Sequence, residues 1–197
     1  MRKDYEIILK LIPENSKVLD IGCSDGELIS YLENKGVSAQ GVELNQEKVI
    51  KCLEKGLDVI HGDINLIVED FPFNQFDYCL LTQTIQAVQK PDQLLNTLKK
   101  VSKNIIVSFN NSARLSKISN FLLSGSFDSL LKKADSDHWY NTDYIHPCSI
   151  KDFKKLAENL DLKIISTFDV INQRKFDNGK IPSNLFCKEV LFHITDE

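Results

Sequence analysis

The sequence predicts an α/β protein: an open, doubly wound sheet of about seven strands with helices on both faces. Three observations predict it. Strand-length apolar runs alternate with longer stretches of helical periodicity through the first 110 residues. Gly or Pro punctuates the connections, and a glycine-rich turn joins the first strand to a helix. At 197 residues the chain is one domain, with an inserted lid or interface region over about 110–148.

Each element follows from its residues. Tyr5, Ile8, Leu9 and Ile12 stand at helical spacing over residues 4–12, and Pro13 ends that run. Lys17 to Ile21 is a short apolar strand. Asp25 to Lys35 is a helix stopped by Gly36, and Val37 to Val42 is a second strand. Asn45 is placed to cap a helix that runs to Lys55 before Gly56. Leu57 to His61 and Phe76 to Leu81 are the third and fourth strands. A helix over Asp92 to Ser102 follows Pro91, and the β-branched run Asn104 to Phe109 is the fifth strand. These five strands form βαβ units and hence a parallel sheet.

Beyond residue 110 the pattern changes. Leu115, Ile118, Phe121 and Leu122, then Phe127, Leu130 and Leu131, form an apolar stripe that is more often a lid packed on the core than an exposed partner surface. A polar-aromatic segment follows over 137–149. Ser149 with Asp152 opens a capped helix to Leu160. Leu162 to Ile171 and Leu185 to Ile194 are the final two strands.

Composition excludes several classes. A net charge of −4, with 21 Lys against only Arg2, Arg114 and Arg174, is no footprint of a nucleic-acid binder. Five scattered cysteines and four scattered histidines write neither a disulfide framework nor a metal site. No apolar stretch has the length of a membrane span, and the opening Met-Arg-Lys-Asp-Tyr-Glu is no signal peptide, so a cytoplasmic protein is expected.

The informative motif is Val18-Leu19-Asp20-Ile21-Gly22-Cys23-Ser24-Asp25-Gly26. As a dinucleotide fingerprint it fails at Ser24 and Glu27. As a G-x-S-x-G nucleophile elbow it matches letter for letter, but only about 17 residues precede it, too few for the strands that such an elbow requires. An acidic residue followed by G-x-G-x-G resembles the nucleotide loop of the Rossmann-like class I methyltransferases, with Ser24 at the middle glycine. Such a loop turns tightly and presents backbone N–H groups at a helix start to a methionyl carboxylate. Ser24 keeps the turn at a negative φ, with its side chain intruding on the cofactor floor. Glu43 ends the second strand 21 residues after Gly22, where a carboxylate accepts both hydroxyls of a ribose. Asp63 after the third strand is placed for the adenine amino group, and Thr82 and Gln83 for the crevice. With Asp20, Gly22, Cys23, Ser24, Gly26, Leu44 and Ile64 they form the candidate site for S-adenosylmethionine or S-adenosylhomocysteine. An Asn/Asp-Pro-Pro-aromatic turn of the kind that methylates exocyclic amines of DNA is absent; Thr82-Gln83-Thr84-Ile85 stands there.

The flanking residues narrow the resemblance. Asp25-Gly26-Glu27-Leu28, Thr82-Gln83 with Gln86-Ala87, Trp139-Tyr140-Asn141-Thr142, Ile145-His146 with Cys148, and Asn184-Leu185-Phe186 with Glu189 make the whole chain resemble the MetW family. The run Asn110-Asn111-Ser112-Ala113-Arg114-Leu115 departs from the family pattern. The resemblance implies a role in methionine synthesis beside homoserine O-acyltransferase (MetX), as a binding and regulatory partner that senses S-adenosylmethionine. The alternative is a small-molecule methyltransferase, with His138, Tyr140 and His146 as candidate acid–base groups. His146 and Cys148 are read chiefly as local structure.

Overall fold

The structure is a computed structural model, and it describes residues 1–127, 146–177, 180 and 182–196. Its strands are β1 (Lys17–Ile21), β2 (Ser38–Glu43), β3 (Val59–His61), β4 (Phe76–Thr82), β5 (Ser102–Asn110), β6 (Lys163–Asp169), β7 (Arg174–Asp177) and β8 (Glu189–Thr195). Its helices are α1 (Lys3–Leu11), α2 (Glu27–Asn34), α3 (Gln46–Glu54), the short α4 (Ile64–Ile67), α5 (Pro91–Val101), α6 (Leu115–Ser124) and α7 (Ile150–Asn159).

The strands form one sheet in the order β3-β2-β1-β4-β5-β8-β6-β7. β1 to β5 run parallel, as their βαβ connections demand. β8 lies antiparallel between β5 and β6, so the sheet is mixed. The order reverses between β1 and β4, which opens a crevice at the carboxyl ends of these strands.

Strand alternation covers both faces. Val18, Leu80, Ile106 and Leu191 pack with residues of α1 and α2 on one side. Leu19, Leu81, Ile105 and Val107 pack with α5 and α7 on the other. There Phe153 and Phe192 have ring centroids 4.7 Å apart, and Phe109 lies 5.3 Å from Phe153.

Two expectations are corrected. The sheet has eight strands rather than seven, because the polar run Arg174–Asp177 turns back on β6 as an edge strand. The last strand begins at Glu189, not Leu185. Buried Asn111 explains this: its Nδ2 donates to the carbonyls of Asn184 (2.7 Å) and Cys187 (2.9 Å), holding that stretch in a turn. None of the residues of α6 is buried, and Leu122 and Leu123 are 75% and 87% exposed; Leu130 and Leu131 of the same apolar stripe lie outside the described residues. The Asn45 cap and the Ser149–Asp152 capping box form as read.

Candidate functional site

The crevice at the strand ends contains a cavity of about 560 Å³. Of the residues singled out above, Gly22, Glu43, Leu44, Asp63 and Ile64 line it. Asp20, Cys23, Ser24, Gly26, Thr82 and Gln83 lie behind or beside its wall.

Glu43 is the best-held of these groups. It ends β2, is buried, and accepts through Oε2 from the Ser24 N–H (2.8 Å) and through Oε1 from the Asn45 N–H (2.9 Å). Both oxygens are thereby oriented, and each retains a further lone pair. The loop in front of it is strained. Ser24 has φ +55°, not the negative value expected, and its side chain does not line the cavity. The left-handed region costs a residue with a Cβ about 1–2 kcal/mol. The bond to Glu43 offsets part of that.

Two glycines meet hard limits. Gly22 has φ +74°, and a Cβ there would stand 2.7 Å from Thr84 Oγ1. Gly26 has φ +75°, and a Cβ would stand 2.3 Å from Leu57 Cδ1. The loop amides are already engaged: Gly22 and Cys23 donate to the Val42 carbonyl, Ser24 to Glu43, and Gly26 to the Cys23 carbonyl. These N–H groups are therefore not the free anion cradle that the sequence motif implied.

Asp63 caps α4, its Oδ1 accepting from the Asn65 N–H (2.9 Å) and Nδ2 (2.6 Å). Asn45, Lys48, Asn65 and Thr84 also line the cavity, and sequence reasoning missed them as site residues. Each stands within a few positions of a residue it did single out. Thr84 donates its hydroxyl to the Ile21 carbonyl (3.0 Å), which locks it over Gly22.

Asp20 sits behind the loop on the β1 face that packs against α1. It is 1% exposed, and its Oδ1 has no hydrogen-bond partner. Burial pushes its carboxyl up to about 7; Arg2 opposes this, while Asp4 and Glu43 add to it. An orphaned buried carboxylate oxygen beside a nucleoside-sized cavity fits a ligand with a cationic donor. Gln83, at φ +60° just past β4, donates through Nε2 to Glu189 Oε1 (2.8 Å) and accepts through Oε1 from Asn110 Nδ2 (2.8 Å).

Of the acid–base candidates, His138 and Tyr140 lie outside the described residues, as does Trp139. The His146 ring meets the Gln89 carbonyl through Nε2 (3.1 Å), and the His146 backbone N–H donates to the Gln86 carbonyl. Burial, with Asp152 beside it, pushes the Cys148 thiol up to about 12. That is too high for a nucleophile at neutral pH. In this structure both residues make local contacts, Cys148 Sγ meeting the Ser149 carbonyl (3.3 Å). Among the described residues, no cluster of His, Cys, Asp and Glu could hold a metal ion.

Residues 2–194 match the family described as "Methionine biosynthesis protein MetW". The "Bifunctional methionine biosynthesis protein MetXA/MetW" of Rhodopirellula baltica is 32% identical over 170 residues, covering 82% of this chain and 27% of that protein. The chain thus spans about a quarter of this relative's length. A SAM-dependent methyltransferase from Methanosarcina mazei superposes with TM-score 0.70 at 15% identity, covering 96% of each chain. One from Archaeoglobus fulgidus gives 0.66 at 16%, covering 98% of this chain and 91% of the other. At such identities they show the fold, which is that of the class I S-adenosylmethionine-dependent methyltransferases.

Proposed function

The chain belongs to the MetW family of methionine-biosynthesis proteins, and from that premise we propose that it binds S-adenosylmethionine in the β1–β4 crevice and acts on homoserine O-acyltransferase as a regulatory partner. The observation that carries the first half is Glu43. It is an oriented carboxylate at the end of β2, facing a cavity of about 560 Å³ beside Gly22. Two acceptor oxygens so placed suit a ribose diol, Asp63 and Asn65 supply polar edges for a base, and Val88 and Ile64 supply apolar wall. Bound there, S-adenosylmethionine supplies a sulfonium methyl group. The chain's own residues orient the nucleoside through Glu43 and keep the loop closed through the bonds of Ser24 and Thr84.

The partnership is supported by the relative in which a MetXA and a MetW part share one chain. Contact within one polypeptide raises effective concentration and tolerates a weak interface. Region 110–148 is the segment we assign to the interface, because Leu122 and Leu123 of α6 stand exposed. By linkage, a nucleotide that alters affinity for the acyltransferase has its own affinity altered by the same factor. A cytoplasmic location fits the five free thiols.

Calorimetric titration with S-adenosylmethionine and S-adenosylhomocysteine, without and with a homoserine O-acyltransferase, tests both halves. Saturable binding that tightens with the acyltransferase supports the reading. Absence of binding in either setting overturns it. Methyl transfer to a small acceptor is the second reading, favoured by the near-neutral Glu189 carboxyl at the same strand ends: burial and Asp4 push it up to about 7 against Arg2 and the Gln83 bond. Loss of label from methyl-labelled donor in cell extract would select this alternative.

A further inference from the structure

Helix α6 lies on the molecule with its polarity reversed. At about 100° per residue, Leu115, Leu122 and Leu123 fall within one stripe, with Ser119 at its middle. Lys117 and Phe121 lie on the opposite side of the helix and are half-buried, while the three leucines are 47%, 75% and 87% exposed. A surface helix ordinarily turns its leucines inward and its lysine to water. Here burial, with Arg114 beside it, lowers the Lys117 ammonium, while the leucines stay in solvent.

The apolar face continues past both ends of α6. At the first, the Leu115 N–H donates to the Leu185 carbonyl (2.7 Å), which sets exposed Leu185 and Phe186 beside it. At the other, Phe127 packs on Phe121, ring centroids 5.0 Å apart, and is itself exposed. Together these side chains leave on the order of 700 Å² of apolar surface in water, at ~150–250 Å² for each large side chain wholly exposed. The largest patch on a typical monomer is ~300–600 Å², and a standard interface takes ~800 Å² from each partner.

We propose that this face is a self-association surface, on which a second copy of the chain seats with the two α6 helices antiparallel about a two-fold axis at Ser119. Area is one argument. Pattern is another: about that axis, Leu115 of each copy meets Leu122 and Leu123 of the other. The small Ser119 stands at the crossing, where a larger side chain would hold the helix axes apart. Its hydroxyl donates to the Ser116 carbonyl (3.1 Å), so the pairing buries no unspent donor there. Charge sets the direction. α6 is entered through Arg114, carries Lys117 in its first turn and contains no acidic residue, so these cations add to the positive end of its dipole. An antiparallel copy places that end beside the carbonyl end of the other α6; a parallel copy would set like ends together. The acyltransferase interface proposed above uses the same leucines, so a second copy holds them while the chain is alone. Self-association does not itself rest on that reading.

Light scattering with gel filtration, on the full chain without acyltransferase, tests the proposal. The expected result is a concentration-dependent species of twice the monomer mass. Leu122→Glu with Leu123→Glu should return it to monomer and leave the unfolding curve unchanged, since both side chains are exposed. Crosslinking reads the orientation. With diamide as oxidant, Ser119→Cys should give a covalent dimer that a reductant dissolves, because the two introduced thiols meet at the axis. Ser124→Cys should not, its two copies standing about 15 Å apart along the helix axes. The parent chain, four of whose five thiols are buried, is the blank.

A parent chain that is monomeric at every concentration overturns the proposal. So does a dimer indifferent to the leucine variant, or one whose Ser119→Cys chains do not crosslink. A monomer that sediments with phosphatidylcholine vesicles, or that takes up an acyltransferase through the same leucines, gives the face to lipid or to that protein and equally overturns self-association. The last of these results leaves the function proposed above standing.

Discussion

Glu43 bears the most weight of any single residue, because its two oxygens hold the loop and face the cavity at once. Glu43→Gln keeps the volume and removes the charge. It should weaken S-adenosylhomocysteine binding about tenfold, ~1.4 kcal/mol, the scale of one charge-assisted hydrogen bond; calorimetry reads this. Ser24→Gly should raise thermal stability by about 1 kcal/mol, since φ +55° is strained only for a residue with a Cβ. Thermal unfolding of the two chains checks it. Asp20 and Glu189 make stability depend on pH with one sign. Both have folded values raised to about 7 by burial, from unfolded values of 3.8 and 4.5. Between those limits the folded chain holds more protons than the unfolded one, so stability falls as pH rises. The melting temperature without ligand should therefore be higher at pH 5.5 than at pH 8. Asp20→Asn should flatten the slope, and an unchanged slope would contradict the assignment.

At the scale of elements, the turn over 183–187 depends on one amide. Asn111→Ala leaves two carbonyls without a donor in a buried place, and a loss of about 2–3 kcal/mol by denaturant unfolding is expected. The same turn shows why some elements are legible in sequence and others are not. β1, β2, β4 and β5 are apolar runs whose neighbours agree with them, and Glu43 is found by its distance from Gly22. The Leu185–Phe186 run looks like the start of a strand, but Asn111, 73 residues before Asn184, takes the carbonyls of Asn184 and Cys187 on either side of it. β7 is Arg-Lys-Phe-Asp, a polar edge strand that among the described residues pairs with β6 alone. The site splits likewise. Gly22, Glu43 and Asp63 are local motifs, whereas the Asp4–Ser108 and Gln83–Glu189 bonds span 104 and 106 residues. No local pattern encodes such contacts.

For the molecule as a whole, the sheet supplies a rim at which the ends of β1, β2 and β3 and the segment after β4 line the cavity. The exposed apolar face of α6 lies outside that framework. The most direct test of the central claim is a crystal structure of the chain with S-adenosylhomocysteine. The account predicts ribose hydroxyls on Glu43 and the adenine near Asp63. A complex with the nucleoside elsewhere, or a rim still empty at saturating ligand, would contradict it.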